Sequence, residues 1–264
     1  GERGADHTVA PSADDLAAMA TMVREALAAG AIGFATSRTE IHRTSGGEFI
    51  PTLTASRDEL LAVAGAMRDA GSGVIQLISD LYQTPDDAVA DAEMDLLADV
   101  VEASGRPLSF TMQQAYHSPE RWRYQMAWVD RMVAAGHDVK AQVASRPIGV
   151  LLGFQATANP FAFCASYGEV AQLPLPQRVD ALADPERRRR ILAEHAELAA
   201  TVSEGIFRQI LTQFDTMFRL GDPVDYELDA DWSIASQAKA AGAEPIDLVY
   251  DALLEDEGRQ LLYM

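Results

Sequence analysis

One arrangement recurs four times in the first 145 residues and limits the folds open to this chain. A stretch with helical periodicity is followed each time by a glycine and then by a short apolar run. The glycines are Gly30, Gly71, Gly105 and Gly136, separated by 41, 34 and 31 residues. A unit of one helix and one strand occupies roughly 30 residues or more, so the spacing indicates repeated βα units. Consecutive units of this kind predict parallel strands joined by right-handed crossovers.

Helix-start signals and breakers give the bounds of these units. Ser12 and Ser56 each precede a carboxylate three residues on, which is typical of a capped helix start. Proline is favoured in the first turn of a helix, and one stands near the predicted start of the third helix and of the fourth. The predicted helices cover residues 12–29, 56–70, 85–104 and 118–135. The predicted strands cover residues 31–36, 74–78, 107–114 and 139–144.

Two architectures fit parallel strands in this order, an arc of a (β/α)8 barrel and an open doubly wound sheet. The chain contains neither Gly-x-Gly-x-x-Gly nor a P-loop motif, which are common in open nucleotide-binding sheets. We therefore favour the barrel. A complete barrel has eight strands in about 250 residues, and only four are evident. The predicted fold class is α/β, a partial (β/α)8 TIM-type barrel of about four central βα units.

The pattern changes after residue 144 to a mostly helical C-terminal part. We expect a loop over the strand ends at residues 145–154, a rigid turn at 173–176 and an acidic connector at 221–231. Helices are predicted at residues 185–202, 233–241 and 245–254, and the apolar residues 261–264 resemble a strand. We divide the chain into βα units of an amidohydrolase-like barrel, residues 1–155, and a loop and helical region of the same catalytic domain, residues 156–264.

Composition excludes several classes of protein. The formal net charge is -19, which disfavours binding to nucleic acid or to an anionic membrane surface. No apolar run reaches the ~20 residues of a membrane span. Cys164 is the only cysteine, so no internal disulfide is possible and a reducing, cytoplasmic location is expected. Its two neighbouring phenylalanines predict a buried, inert thiol. The run Arg187–Arg190 is interpreted as a solvated helix face.

Histidine spacing argues against a metal site made by this chain alone. The five histidines form neither His-x-His nor His-x-x-x-His, so we assign no metal ligand. No Gly-x-Ser-x-Gly motif is present either, which disfavours a serine hydrolase. The histidines are His7, His42, His117, His137 and His195.

Polar residues gather where the predicted strands end, which is the functional rim of parallel α/β folds. Arginine there can hold a carboxylate through two hydrogen bonds, whereas glutamine binds without transferring protons. The predicted substrate-binding residues are Arg38, His42, Gln76, Gln113, Gln114 and Arg146. Asp80 is the candidate catalytic carboxylate, with a structural role as a cap of the next loop as its alternative. A plain solvated loop is the alternative for residues 37–48.

Several stretches together resemble one known family. They are Gly-Glu-Arg-Gly-Ala-Asp-His at residues 1–7, Gly-Phe-Ala-Thr-Ser-Arg-Thr at 33–39, Ile-His-Arg-Thr at 41–44, Gln-Val-Ala-Ser-Arg-Pro-Ile-Gly at 142–149 and Phe-Arg-Leu-Gly-Asp-Pro at 218–223. The chain resembles the N-acyl-D-amino-acid deacylases (D-aminoacylases) of the amidohydrolase superfamily, and a longer bacterial branch of them most closely. The resemblance implies a zinc-dependent hydrolase, in which a metal-bound water attacks an N-acyl bond.

The resemblance also implies that the chain is the central fragment of a longer protein. The family's His-x-His pair and its catalytic Asp belong to segments not found here, and two further histidine positions fall near Ile78 and at Met112. We therefore expect zinc in the full-length parent and none in this chain. The leading hypothesis is a fragment of a metal-dependent amidohydrolase for a small N-acyl or amide substrate, inactive in isolation.

Two alternatives remain open. One is a metal-free, barrel-derived protein that binds a ligand or a partner, and the other is an open doubly wound binding domain. Because a barrel arc has two open sheet edges, we also expect self-association.

Overall fold

The structure is a computed structural model that describes residues 9–44, 48–84, 86–116, 118–146, 148–202, 205–225 and 227–264. The chain forms two compact units, Gly1–Ser145 and Arg146–Met264. The sequence analysis divided the chain near residue 155, on the basis of a change in sequence character, whereas the two units meet between Ser145 and Arg146. That the second unit shares a catalytic domain with the first stays a prediction. In the described ranges, no helix has both the length and the apolar character to cross a membrane.

The first unit alternates helices and strands. Its helices are α1 (Ala13–Ala28), α2 (Arg57–Ala70), α3 (Asp87–Ser104) and α4 (Arg121–Ala134). Its strands are β1 (Gly33–Arg38), β2 (Val74–Ser79), β3 (Leu108–Thr111) and β4 (Val139–Gln142). Short 3-10 helices lie at Pro51–Thr54 and Asp80–Tyr82. The four predicted helix–glycine–strand units are therefore confirmed.

The local signals that predicted the helices act as expected. Ser12 and Asp15 form a reciprocal capping box at the start of α1, and Ser56 and Glu59 form another at the start of α2. Gly71 and Gly105 end α2 and α3 with φ of 66° and 58°. These left-handed conformations cost little without a Cβ atom, which explains why glycine closes each helix.

Two boundaries of the first unit differ from the sequence prediction by three residues, and the others by two or fewer. Helix α4 begins at Arg121 rather than at residue 118, because Arg121 N donates to the Ser118 carbonyl at 3.1 Å and closes a separate turn there. Strand β3 ends at Thr111 rather than Gln114, since its neighbour β4 ends at Gln142, the partner of Thr111. The residues beyond Thr111 therefore belong to a loop.

The four strands form one parallel sheet in the order β1-β2-β3-β4. Side chains alternate between its faces, and those of one face, including Ile75, Leu77 and Phe110, pack in a single buried cluster with residues from all four helices. A doubly wound sheet would carry helices on both faces. Helices on one face, with strands in unbroken chain order, define an arc of a (β/α)8 barrel.

The second unit is mostly helical. Its helices are α5 (Ala165–Gly168), α6 (Leu175–Leu182), α7 (Pro185–Thr201), α8 (Gly205–Thr212), α9 (Ile234–Ala241) and α10 (Pro245–Gly258). A 3-10 helix lies at Ala230–Trp232. A small antiparallel sheet has the order β5 (Leu151–Leu152), β7 (Leu262–Tyr263), β6 (Phe218–Arg219). The helical prediction for this part of the chain is confirmed.

Local expectations for the second unit were partly wrong. The rigid turn expected at residues 173–176 is the start of α6, because proline in the first turn needs no N–H donor. The loop expected at residues 145–154 contains β5, which pairs with β7. Helix α10 loses its helical dihedrals at Glu255, close to the predicted end.

An aromatic cluster forms the centre of the second core. Phe154 stacks on Tyr167 with centroids 5.9 Å apart, and Phe161 meets Tyr250 edge-on at 5.1 Å. Cys164 lies in the same cluster, 2% exposed, and burial raises the pKa of its thiol to about 12. The prediction of a buried thiol is confirmed, and the raised pKa leaves little thiolate at neutral pH.

The arginine run is only partly a solvated face. Arg188 bridges from α7 to Asp247 and Asp251 of α10, at 3.0 and 2.5 Å. Arg187 donates to the Ser166 carbonyl and to Glu169. The prediction was wrong for these two arginines because the acidic partners come from distant parts of the chain.

Candidate functional site

The face of the sheet opposite the helices is polar and uncovered within the described residues of the first unit. One row crosses all four strands in register: Ala35 pairs with Gln76, Gln76 with Ser109, and Ser109 with Lys140. Gln76 and Ser109 are half-buried and Lys140 is exposed. Because successive residues of a strand point to opposite faces, these residues share the face that lacks helices. We call it the open face.

The carboxyl ends of the strands add a second polar row to the open face. Ser37 pairs with Ile78 between β1 and β2, and Thr111 pairs with Gln142 between β3 and β4. The imidazole Nδ1 of His42 lies 2.9 Å from the Ser37 hydroxyl. Hydroxyl, amide and imidazole groups thus come together at the rim where parallel sheets bind ligands. Of the predicted substrate-binding residues, Gln76 and His42 belong to this face through these contacts.

Arg38 points to the other face, toward the helices. Its Nε and Nη2 donate to the two carboxylate oxygens of Glu93 in α3 at 2.7 and 2.9 Å, and its Nη1 donates to the Ala55 carbonyl at 2.7 Å. Ser79 also donates to Glu93, at 3.0 Å. The Arg38 guanidinium therefore donates its hydrogen bonds to groups of the first unit. A role for Arg38 in substrate binding stays a prediction.

Asp80 anchors the loop that follows β1. Its carboxylate accepts hydrogen bonds from the Thr39 hydroxyl at 2.6 Å, the Glu40 backbone N–H at 2.9 Å and the Gln83 amide at 2.7 Å. Burial, with the nearby Asp80 charge, raises the pKa of Tyr82 to about 12. These contacts are those of a carboxylate that holds two loops together, and they support the structural alternative. Proton transfer by Asp80 stays a prediction.

The remaining predicted residues belong to other segments of the chain. Gln114 is exposed and donates to the Pro119 carbonyl at 2.9 Å. Gln113 is half-buried in the loop after β3. Arg146 is exposed and is the first residue of the second unit. No hydrogen bond that the structure describes joins Gln113 or Gln114 to Gln76 or His42.

The residues that the structure describes do not fit a zinc ion. Within the described ranges, no three His, Cys, Asp or Glu side chains are grouped closely enough to bind a metal. Ile78, near one histidine position implied by the resemblance, has no donor atom. Met112, at the other, belongs to the buried cluster beneath the helices and is 7% exposed. His7 and His117 lie outside the described residues.

Two contributors to this region were not identified from the sequence. Ser37 was seen only as part of a polar loop, although it has the strand parity of Gly33 and Ala35. Glu93 was not singled out within the predicted third helix, although it follows Ala90 by three positions and precedes Leu97 by four, both buried. A carboxylate on the buried side of a helix needs a hydrogen-bonding or charged partner. The position of Glu93 in the helix pattern could therefore have indicated a buried ion pair.

Comparison with known proteins gives a weak structural similarity. The sequence matches no protein-family profile and no curated protein. Three solved structures are similar: D-aminoacylase described as defining a novel subset of amidohydrolases, D-aminoacylase with a binuclear metal center, and a mutant of it with CuCl2. Each has 14% identity and a TM-score of 0.42, covering 96% of this chain and 38% of that chain. This chain thus spans well under half the length of those proteins.

Proposed function

We propose that this chain supplies the substrate-binding part of a hydrolase that acts on an amide or N-acyl bond of a small molecule. The observation that carries the proposal is the open face, where Ser37, Gln76, Thr111 and Gln142 present hydrogen-bonding groups from four adjacent strands. The resemblance of the sequence to D-aminoacylases supports the choice of bond. Ligand sites of parallel sheets lie at the carboxyl ends of the strands, which is where Ser37, Thr111 and Gln142 lie.

The residue types of the open face suit an amide-containing substrate. A glutamine side chain offers both a carbonyl acceptor and N–H donors, the same pair of groups that an amide substrate presents. Lys140 adds one positive charge, which a substrate carboxylate can approach, although it also contacts Asp138 at 2.5 Å. The glutamine and hydroxyl side chains of the open face are not suited to general-base catalysis at neutral pH. Their role in the proposal is binding and orientation.

The catalytic group and any metal would come from residues other than those described. The misfit of Ile78 and Met112 as ligands motivates this division of roles. The chain alone should therefore bind substrate without hydrolysing it. In D-aminoacylase, the similar solved protein, the metal center is binuclear. Zinc belongs to this proposal only for a longer polypeptide that contains additional ligands.

A binding experiment on the 264-residue chain tests the proposal. Titration with the D and L forms of an N-acetyl amino acid, followed by calorimetry or NMR, should show saturable binding. Gln76→Leu and Gln142→Leu should each weaken it about fivefold, the equivalent of one hydrogen bond of ~1 kcal/mol. Gln177→Leu, an exposed glutamine of α6 in the second unit, is the matched control and should leave the affinity unchanged. Equal affinities for all four proteins, or no binding at all, would refute the proposal.

A second candidate function is a metal-free ligand-binding protein derived from a barrel. The same two positions, Ile78 and Met112, favour it because neither can act as an imidazole does toward zinc. Zinc content and amide hydrolysis separate the two, measured on the longest natural polypeptide that contains this sequence. Stoichiometric zinc with metal-dependent cleavage would eliminate the metal-free candidate. Ligand binding without metal or cleavage would eliminate the hydrolase.

A further inference from the structure

The imidazole of His42 and the hydroxyl of Ser37 form a hydrogen bond in which either group can be the donor. The distance from Nδ1 to Oγ is 2.9 Å. A serine hydroxyl has one O–H to donate and two lone pairs to accept, and an imidazole nitrogen donates when it carries a proton and accepts when it does not. Among the described residues, Nε2 has no hydrogen-bond partner that would fix the proton of the neutral ring on one nitrogen. The direction of the bond therefore depends on the protonation of His42.

The loop that carries His42 is fastened on both sides of the imidazole. Before it, the buried Thr39 hydroxyl donates to Asp80 at 2.6 Å, and the Glu40 backbone N–H donates to the same carboxylate at 2.9 Å. After it, the Nε of Arg43 donates to the Glu40 carbonyl at 2.9 Å. A side chain on a backbone that is held in this way keeps its position when its own charge changes. The imidazole therefore stays beside the end of β1 in both protonation states.

Ser37 is the residue of the open face that this loop reaches. Its neighbour on β2 is Ile78, whose side chain has no hydrogen-bonding atom. Within the described residues, the hydrogen bond of the Ser37 hydroxyl is the one to His42. That bond uses either the O–H or one of the two lone pairs, and the rest of the hydroxyl stays available to a ligand. What Ser37 offers a ligand is therefore decided by what it shares with His42.

We infer that His42 determines whether Ser37 meets a ligand as a hydrogen-bond acceptor or as a donor. The inference rests on the proposed function, in which Ser37 contacts the substrate. With a neutral imidazole, Ser37 gives its O–H to Nδ1, and its lone pairs accept the N–H of an amide. With an imidazolium, Nδ1–H donates to Ser37, and the O–H of Ser37 turns to a carbonyl or ester oxygen of the ligand. His42 is thus a positioning residue that favours amides over esters while its ring is neutral.

The other charged groups around His42 are carboxylates and guanidiniums. They are Glu40, Arg43 and Glu48 in the loop after β1, Asp80 after β2, and the Arg38–Glu93 pair on the helix side of the sheet. Groups of these two kinds do not ordinarily titrate between about pH 5 and 8, whereas imidazole does. A ligand preference that changes in this range therefore indicates an imidazole, and substitutions identify which one.

Two ligands that differ by a single N–H test the inference. N-acetylglycine has an amide N–H at the position where acetoxyacetate has an ester oxygen, and each carries one carboxylate. The attraction of an imidazolium for that carboxylate acts on both ligands alike, so the ratio of their dissociation constants isolates the hydrogen bond. Measured by calorimetry or NMR, the 264-residue chain should prefer the amide at about pH 8, and the preference should fall roughly fivefold by about pH 5.5.

Three variants identify the imidazole that is responsible. His42→Asn keeps a hydrogen-bonding group beside Ser37 but does not titrate, so its ratio should be the same at both pH values. Ser37→Ala should remove most of the preference for the amide at either pH. His137→Asn is the matched control, because His137 precedes β4 at the opposite end of the sheet from Ser37, and it should show the full fivefold fall. Circular dichroism at both pH values verifies that the variants are folded.

NMR of the imidazole nitrogens tests the pair without a ligand. Nδ1 of His42 should be without a proton at about pH 8 and protonated at about pH 5.5. A proton on Nδ1 at both pH values would overturn the inference, because Ser37 would then accept throughout. Saturable binding with a constant ratio, or a fall that persists in His42→Asn, would overturn the inference and leave the proposed function in place. If neither ligand binds at either pH, the proposed function is refuted and the inference with it.

Discussion

Arg38 at the end of β1 and Glu93 in α3 form a two-pronged ion pair, with N–O distances of 2.7 and 2.9 Å. Their side chains are only 13% and 17% exposed, and Ser79 donates a further hydrogen bond to Glu93. The pair therefore fastens the first strand to the third helix of the barrel arc. Because the charges are largely removed from water, each depends on the other.

Removing the carboxylate should destabilise the first unit. We expect Glu93→Gln to lower the free energy of unfolding by about 2–3 kcal/mol, because the Arg38 guanidinium loses its charged partner but stays largely buried. Denaturant unfolding measures this. Asp99→Asn is the control: its partner Arg57 is 57% exposed, and a surface ion pair contributes less than ~1 kcal/mol. Equal losses in the two variants would contradict the expectation.

Gly33 should not tolerate a side chain. A Cβ atom built at this position lies 2.0 Å from the Val74 carbonyl oxygen of the neighbouring strand. Gly33→Ala should therefore lower the free energy of unfolding by at least about 2 kcal/mol through overlap with the backbone. Gly65→Ala in α2 should raise it by up to ~1 kcal/mol, since the nearest atom is 4.0 Å away and alanine favours helices. Thermal unfolding measures both changes, and the free energy of unfolding should fall for Gly33→Ala and rise for Gly65→Ala.

Asp80 should act as a tether for the loop after β1. Asp80→Ala removes the acceptor of three hydrogen bonds, so the backbone amide of Glu40 should exchange with solvent faster. Thr39→Val removes one of the three and should cost ~1 kcal/mol, because Thr39 is fully buried. Hydrogen exchange by NMR provides the measurement. Asp138→Ala, at an exposed carboxylate, should leave the exchange of Glu40 unaltered.

Stability should fall in mild acid through His195. This side chain is buried against Phe161, and burial lowers its pKa, with a backbone hydrogen bond to Leu211 opposing only part of the effect. The unfolded chain binds a proton below about pH 6.5, whereas the folded chain resists protonation. The contribution is thus present above that pH and lost as pH falls toward the lower folded pKa.

A comparison of the unsubstituted chain with a variant that lacks the imidazole isolates the contribution of His195 to stability. The free energies of unfolding of the unsubstituted chain and of His195→Leu are compared over about pH 5 to 7. The unsubstituted chain should lose more stability over that range. Parallel curves would show that His195 does not contribute.

Local signals explain how much of the fold could be predicted. The residues that begin or end a helix act on backbone groups only a few positions away, so helix ends can be predicted from the sequence. Examples are Ser12, Ser56, Gly71 and Gly105. The second unit lacks such regularity. Its arginine run depends on Asp247 and Asp251, about sixty residues further along the chain. Nothing near Arg188 indicates which carboxylates it will meet.

The sequence predicted at which end of the sheet polar residues collect, but not which face of the sheet each of them occupies. Polar residues do collect at the ends of the strands, as the glycine spacing led us to expect. The face that each residue occupies follows from strand parity, and Arg38 shares its parity with the apolar Phe34 rather than with Ser37. Its partner Glu93 lies 55 residues away, so the contact itself required the structure.

The alternation of side chains along β2 and β3 has a consequence for protein engineering. Ile78 points to the open face, while Met112 lies among core residues under the helices. A histidine introduced at position 112 would disrupt packing and face no solvent. The register that pairs Gln76 with Ser109 sets Ile78 next to Thr111. Grafting imidazoles onto this scaffold should therefore begin with Ile78→His and Thr111→His, neighbours that face the same way.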